Sequence, residues 1–572
     1  MIQVEPSVNF ELQELPLGVP RFRRKVASFL ESNSLRLEEV DLYLAILGGD
    51  GEILAGGGLK EDVIKCVAVS EAARSMGLAA PLVSRLISVA AERGFHSVRV
   101  FTKPGNVSIF GSLGFRLLAS APEAVLMENG RGLEEYCSQL RALRSPGRTG
   151  VIVMNANPFT LGHLHLVREA SSRVDKMFVI PVAEEGQRFS CEERRGMIVR
   201  GCGTLATVLE GSRYQISSLT FPTYFLKDLS LASDTQMRLD ADLFLRHIAP
   251  ALGATVRFVG SEPSDPLTAR YNAILAGMLP EGGVSLVEIP RLCDGEGPVS
   301  ASRVRSALSA GVLPASLVPS GTWPYLLSDL MARALRLELD TPGKPGLVDK
   351  ESNGSHSDMD YSLMSGSIEI IRRSFTRHLN LADPVAAGRA AEADLLAFTG
   401  GVNTYRGAVF CHYIMAYAFL LDAHGAGELR LPAERLSAGI AALASRVEPQ
   451  EGSHGGRAVA EFGVRGALAM ARGGYAELFG DWLPYYRSVK GGPYAMQQTL
   501  LRIMSGLDDT CIIHRAGYAA SLDVKRRAVD LLADFSPSGL QSMDASFKAL
   551  GISPGGSADM LSLTIFADSI SS

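Results

Sequence analysis

The chain is poor in every feature that would tie it to export, a membrane or nucleic acid. Only seven cysteines occur in 572 residues. Cys66, Cys137, Cys191, Cys202, Cys293, Cys411 and Cys511 are scattered, odd in number and without a C-x-x-C pair. That excludes a disulfide framework and a structural zinc site, and it fits a reducing cytoplasm. There is no basic excess: 56 Lys and Arg against 61 Asp and Glu leave a net charge of −5. No nucleic-acid partner is expected from such a balance. Glu5 and Glu11 fall early, with no apolar signal core around them, so no export signal is expected. The longest apolar stretch, Val409 to Leu421, is interrupted by His412. It is too short to span a bilayer and reads as a buried core helix. What remains is a globular balance, 47% hydrophobic and 20% charged. At roughly 150 residues per domain, the length suggests three or four.

The most informative stretch is Gly150 to Val167, GVIVMNANPFTLGHLHLV. Val151 to Met154 is a short apolar run closed by Asn155-Ala156-Asn157-Pro158, the pattern of a buried parallel strand. After Thr160-Leu161-Gly162-His163, the apolar residues Leu164, Val167 and Ala170 recur at helical spacing. Strand, tight turn and helix follow. Gly162 lets backbone approach a ligand, and a helix start offers free N–H groups to an anion. His163 can donate to a phosphate whose charge grows as it departs.

Upstream, Tyr43–Leu47 and Ile53–Ala55 flank Gly48-Gly49-Asp50-Gly51, a hairpin signal. Val63 to Val69 predicts a central strand, Pro81 to Arg93 a helix, and Val98 to Phe101 a further strand. The order resembles the GCN5-related acetyltransferase family. Arg74-Ser75-Met76-Gly77-Leu78-Ala79 matches that family's pyrophosphate loop, and Asn106 with Phe110 to Phe115 matches its late part. The resemblance implies that Arg74, Gly77, Ala79 and Asn106 hold a coenzyme A-like molecule. It leaves open whether the domain, residues 1–145, transfers anything.

Residues 146–322 alternate strand and helix. Met177 to Val182, Thr255 to Gly260 and Val284 to Ile289 predict strands, and Ser190 with Glu193 forms a capping box. Alternation gives a parallel sheet with ligands at the strands' carboxyl ends. N-P-F-T-x-G-H at Asn157 to His163 and S-A-S-x-V-R at Ser300 to Arg305 resemble the nucleotidyltransferase superfamily. Between them lie Arg188-Phe189-Ser190 with Arg194, Thr220 to Lys227, Val259 to Pro263 and Tyr271-Asn272. With the acetyltransferase-like leader, the set resembles citrate lyase ligase. The resemblance implies that acetate attacks the α-phosphorus of ATP, pyrophosphate leaves, and a carrier-bound thiol takes the acetyl group. It implies catalytic roles for Thr160, His163 and Lys227. Asn157, Phe159, Gly162, Arg194, Ser300, Ser302 and Arg305 would bind ATP. Taken alone, Ser300 and Ser302 read as helix caps.

Strand signals fade near Val318 to Pro324. Helical patterns then dominate at Ser328–Leu339, Leu363–Phe375, Ala386–Phe398, Val409–Leu421, Ala433–Ser445, Met496–Leu507 and Val524–Phe535. An all-α domain over 323–572 is expected, giving a multidomain chain: α+β leader, α/β parallel-sheet middle, all-α end. Between the helices lie loops rich in Gly, Asp, Ser and Lys, which suit phosphates and Mg²⁺. K-P-G-L-V-D at Lys344, G-S-H-x-D-M at Gly354, T-G-G-V-N-T at Thr399 and S-P-G-G-S-A-D-M at Ser553 resemble triphosphoribosyl-dephospho-coenzyme A synthase. That family joins the triphosphoribosyl part of ATP to the 2′-hydroxyl of 3′-dephospho-coenzyme A and expels adenine. The resemblance implies catalytic work for Asp349, His356 and Asp358. Lys344, Gly400, Gly401, Asn403 and Arg515 would bind phosphate, and Asp360, Asp508 and Asp509 would bind metal. Which carboxylate acts as acid, base or ligand stays open.

A bifunctional maturation enzyme for citrate lyase is the reading. ATP, acetate, 3′-dephospho-coenzyme A and the lyase's acyl carrier protein are the expected partners, with Mg²⁺ and no tightly bound organic cofactor. A non-catalytic scaffold of the lyase complex, or adenylyl transfer to phosphopantetheine, are the alternatives.

Overall fold

The computed structural model describes residues 12–184, 186–217, 220–262, 265–426, 431–448 and 454–572. Glu5, Glu11 and Pro263, which figure in the sequence reading, lie outside the described residues. Two compact units emerge: Met1–Asn157 with Gly162–Pro298, and Pro158–Leu161 with Val299–Ser572. The boundary expected near 145 falls inside the first unit, and the one expected near 322 falls inside the second.

The first unit holds two sheets. The leader sheet comprises β1 (Leu12–Glu14), β2 (Leu42–Leu47), β3 (Ile53–Lys60), β4 (Val63–Val69), β5 (Val98–Thr102), β6 (Arg116–Ser120) and β7 (Val125–Asn129). Its order is β1-β2-β3-β4-β5-β7-β6. Only β4 and β5 pair in parallel, and only at Val63↔Arg99 and Ile64↔Val100. The hairpin, the central strand from Val63 and the further strand from Val98 fall where the sequence put them. Leu82, Val83 and Leu86, on the helix Ala79–Glu92, pack one face of this sheet.

The second sheet comprises β8 (Thr149–Met154), β9 (Lys176–Pro181), β10 (Thr207–Val208), β11 (Ala254–Gly260) and β12 (Ser285–Ile289). It is wholly parallel, in the order β10-β9-β8-β11-β12. Chain order runs one way from β8 and resumes on its other side at β11. That leaves a crevice at the carboxyl ends of β8 and β11, where such sheets bind ligands.

The two sheets share one core. Phe101 and Cys66 of the leader cluster with Phe221, Tyr224 and Phe225, and the Phe101 and Phe221 rings meet edge to face at 5.7 Å. Polar ties reinforce this apolar contact. Asp62 takes Arg99 at 2.8 Å and Arg213 at 3.0 Å, Glu38 accepts from the Thr223 N–H at 2.7 Å, and Asp242 accepts from the Ser120 N–H at 2.7 Å. The Asp62–Arg99 pair is buried, so losing one partner strands the other's charge.

The second unit is helical over 323–572. The seven predicted helices are present, the longest being Arg406–Ala426 and Trp323–Asp340. The helix Gly555–Ile570 is buried along most of its length and packs against Trp323–Asp340, Arg406–Ala426 and Ala495–Gly506. Among the described residues, no helix is long and apolar enough to cross a membrane.

Candidate active sites

The carboxyl ends of β8, β11 and β12 gather the first set of polar groups. After β8, the Asn157 side chain donates to Gln187 Oε1 at 2.7 Å and accepts from the Phe189 N–H at 3.3 Å. Gln187 in turn donates to Glu184 at 2.9 Å. Arg194 is completely buried. Its Nε donates to Phe189 O; Nη1 to Asn155 O, Asn155 Oδ1 and Val182 O; Nη2 to Glu184 O and Cys191 Sγ. Every nitrogen of the guanidinium is engaged. Arg194, expected to bind phosphate, joins the loops after β8 and β9, and Asn157 hydrogen-bonds to the second of them. The predicted capping box at Ser190 and Glu193 starts the helix Cys191–Cys202 that carries it.

His163 sits in the first turn of the helix Leu161–Ser171. Burial and the Arg291 guanidinium push its imidazole down to about 4, so the ring is neutral at physiological pH. A neutral ring with one N–H suits donation to a phosphate oxygen rather than proton transfer. Arg291 follows β12 and was not singled out in the sequence. Its Nε donates to Ser261 O at 2.9 Å, and Nη2 pairs with Glu262. It brings a half-buried cation to this edge of the sheet. Lys227 lies exposed beyond the buried Tyr224-Phe225-Leu226 run.

The rest of the first motif clusters with the second unit. Phe159 and Thr160 are buried, and Phe159 O accepts from Thr322 Oγ1 at 3.0 Å. Ser300 caps the helix Ala301–Ser309 through the Arg303 N–H, and Arg305 donates to Ser302 Oγ at 3.1 Å.

In the leader, Gly77 has φ +67, which permits the turn into the helix Ala79–Glu92. Arg74 is exposed beside it, 4.0 Å from Glu71. Asn106 donates to Thr102 Oγ1 at 2.8 Å.

In the helical unit, the motif loops converge. His356 bonds Ser553 Oγ through Nε2 at 2.8 Å, and its Nδ1 faces Arg515 at 3.3 Å and Asp358 at 3.7 Å. Burial and Arg515 lower its basicity. Arg515 also donates to Ser355 O at 2.7 Å. Asp349 accepts from three N–H groups, of Gly343, Glu351 and Ser352, at 2.8–2.9 Å. Asp509 caps the helix Thr510–Ala516 and accepts five bonds: from the N–H groups of Cys511, Ile512, Gly556 and Ser557, and from Ser557 Oγ. It thereby fastens two helix starts together, and burial still raises its pKa.

Three of the expected ligands are engaged by side chains or backbone of the chain itself. Asp509, expected to bind metal, accepts the five bonds just given. Lys344, fully buried, pairs with Glu338. Asp508 pairs with Lys525. Asp360 caps the helix Tyr361–Arg377 through the Leu363 N–H and is exposed, as is Asp358. Gly400, with φ +63, and Gly401, with φ +93, end the helix Pro384–Thr399, and Asn403 Oδ1 accepts from the Arg406 N–H. Among the described residues, no three His, Cys, Asp or Glu side chains are grouped to hold a metal. Two acids to which the sequence reading gave no role belong to the same cluster: Glu338, and Asp559 in the S-P-G-G-S-A-D-M motif. Burial with the carboxylates of Asp509 and Glu338 holds Asp559 well above the usual carboxylate range.

Two arrangements thus coexist: a parallel sheet with polar groups at its switch point, and a helical bundle with converging polar loops. A chain of two catalytic parts is defined by them. The family model described as the citrate lyase ligase C-terminal domain matches residues 149–326. The one described as ATP:dephospho-CoA triphosphoribosyl transferase matches residues 324–572. The [Citrate [pro-3S]-lyase] ligase of Escherichia coli is 40% identical, covering 53% of this chain and 89% of that protein. The ligase of Klebsiella pneumoniae is also 40% identical, covering 53% and 92%. An Azotobacter vinelandii protein named "Probable 2-(5''-triphosphoribosyl)-3'-dephosphocoenzyme-A synthase" is 35% identical, covering 44% of this chain and 93% of itself. The chain belongs to the citrate lyase ligase family over its first part and to the triphosphoribosyl-dephospho-coenzyme A synthase family over its last, a fusion of two enzyme families.

Proposed function

We propose that the chain matures citrate lyase at two steps. The helical part attaches the 5-triphosphoribosyl group of ATP to the 2′-hydroxyl of 3′-dephospho-coenzyme A and releases adenine. The ligase part converts acetate and ATP to acetyl-adenylate and pyrophosphate, then passes the acetyl group to the thiol on the lyase's acyl carrier protein. Both substrates belong to the reducing cytoplasm that the free cysteines suit.

The position of His163 carries the ligase reading. It begins the helix after β8 at the switch point, with Arg291 as the nearby cation. Charge stabilisation dominates phosphoryl and nucleotidyl transfer, and a neutral N–H donor with a guanidinium supplies it. The family resemblance gives phosphate roles also to Thr160, Ser300, Ser302 and Arg305, and an acid- or adenylate-binding role to Lys227. The leader is proposed to receive the carrier's pantetheine arm around Met76 to Ala79, because ATP-activated acetate makes a thioester donor redundant. Convergence of the loops at Asp349, His356, Ser553 and Asp509 carries the synthase reading. ATP is proposed to enter as its magnesium complex, with the triphosphate itself providing most ligands. The exposed Asp358 and Asp360 are the carboxylates open to such an ion.

The test is an assay of the purified chain for acetate-dependent exchange of pyrophosphate into ATP, and for adenine release that requires 3′-dephospho-coenzyme A. Loss of either wild-type activity removes that half of the reading. Transfer of acetyl from acetyl-coenzyme A to the carrier without ATP would overturn the proposed role of the leader.

A further inference from the structure

Asp559 differs from every other acid in the helical cluster. Asp349 and Asp509 accept three and five hydrogen bonds. Glu338 is paired with Lys344, and Asp508 with Lys525. The Asp559 carboxyl makes no hydrogen bond or ion pair among the described residues; only its main-chain oxygen accepts, from Ser562. Its position is nonetheless fixed. It belongs to the second turn of the helix Gly555–Ile570, and its Oδ2 lies against the backbone of Gly407, where any Cβ would collide with it. A carboxyl at van der Waals contact with a glycine, held by a buried helix, is a placed group rather than a solvated one.

Its surroundings favour a bound proton. The groups facing it are Asp509 at the start of Thr510–Ala516, Glu338 on Trp323–Asp340, Tyr405 and Cys411 around the start of Arg406–Ala426, Tyr475, and Cys511 beside Asp509. Two are carboxylates, of which Glu338 has its own cation in Lys344 and Asp509 has none among the described residues. Like charges in a desolvated site keep one acid neutral. A neutral carboxyl can donate a proton, which the engaged carboxylates nearby cannot.

The triphosphoribosyl reaction has one step that needs such a donor. Adenine leaves poorly as an anion, and glycosidic bonds break through oxocarbenium-like centres with acid assistance to the leaving group. We propose that Asp559 is the general acid that protonates the departing adenine. The C1′–N9 bond breaks with its electron pair on the base, and the Asp559 proton moves to the base. The 2′-hydroxyl oxygen of 3′-dephospho-coenzyme A bonds to C1′, and its proton passes to water. The resulting Asp559 carboxylate takes a proton from water before the next turnover. Asp509 and Glu338 act on this step only through Asp559, as positioning residues.

This inference rests on the synthase reading. The test is single-turnover adenine release by the full chain with ATP and 3′-dephospho-coenzyme A, from about pH 6 to 10. The wild-type rate falls on the alkaline side as the acid loses its proton. Asp559→Asn lowers the rate by about 10²-fold or more and abolishes that limb, and Asp559→Glu restores part of both. ATP binding and the circular dichroism spectrum stay unchanged in both variants. Asp559→Asn within threefold of wild type overturns the proposal, and so does a slowed variant that keeps the alkaline limb. A wild-type profile flat to the alkaline end overturns it without recourse to any variant. Absence of adenine release from the wild-type chain would instead refute the synthase reading itself.

Discussion

Arg194→Lys separates a clamp from a phosphate ligand. The buried guanidinium meets six acceptors on the loops after β8 and β9 and on its own helix. An ammonium has three donors on one atom and cannot span that set. At least two carbonyls lose their partner, at about 1–3 kcal/mol each when buried. After relaxation, a loss of about 3 kcal/mol is expected. For a folding unit of this size, that lowers Tm by roughly 5 °C. Asn157 and Gln187 lose their fixed loop with it, so exchange activity falls at assay temperatures near the new midpoint. At low temperature, KM for ATP stays within about threefold of wild type, since no phosphate contact is removed. Differential scanning calorimetry and pyrophosphate exchange, run on the same preparation, provide the readout. A lysine variant with unchanged Tm and a tenfold higher KM for ATP would refute the clamp and return Arg194 to the phosphates.

His163→Ala should slow acetate-dependent pyrophosphate exchange by about 10²-fold or more, the scale for losing one transition-state donor; a wild-type rate would end the assignment. The His163 ring should titrate near 4 by NMR, against about 6.5 in an unfolded chain. Because its pKa is depressed on folding, its contribution to stability is present above pH 6.5 and fades as pH falls toward 4. Denaturant midpoints that rise on acidification through that window, in wild type but not in His163→Ala, would contradict this sign. Asp509→Asn should destabilise the helical unit by about 2–4 kcal/mol, because an amide NH₂ then faces backbone N–H donors; chemical denaturation checks it. An unchanged midpoint with loss of adenine release would revive Asp509 as a metal ligand.

Much of this was legible in the sequence, for identifiable reasons. The strands from Val63, Val151, Met177 and Thr255 are apolar runs bounded by turn residues, and they form buried parallel or central strands. Ser190 and Glu193 announced their helix because a capping box is local chemistry. The helix Gly555–Ile570 escaped because it opens on two glycines and is apolar on nearly every side, so it shows no amphipathic stripe. Arg194 was legible as important, while its acceptors were not, since they come from two separate loops. Lys344 is a similar case: its partner Glu338 lies across a turn that only folding closes. Asp559 lay inside a quoted motif, yet its distinction is the lack of partners, which no spacing encodes. The shared core under the two sheets was invisible because Phe221 to Phe225 meets Phe101 across more than a hundred residues.

The central claim is that two chemistries reside in one chain on separate residues. Mass analysis of the products formed by His163→Ala from ATP, acetate and 3′-dephospho-coenzyme A tests it most directly. Adenine and 2′-(5″-triphosphoribosyl)-3′-dephospho-coenzyme A should accumulate in equal amounts at the wild-type rate, while acetyl-adenylate formation is lost. Loss of both product sets from a folded His163→Ala chain would contradict the account.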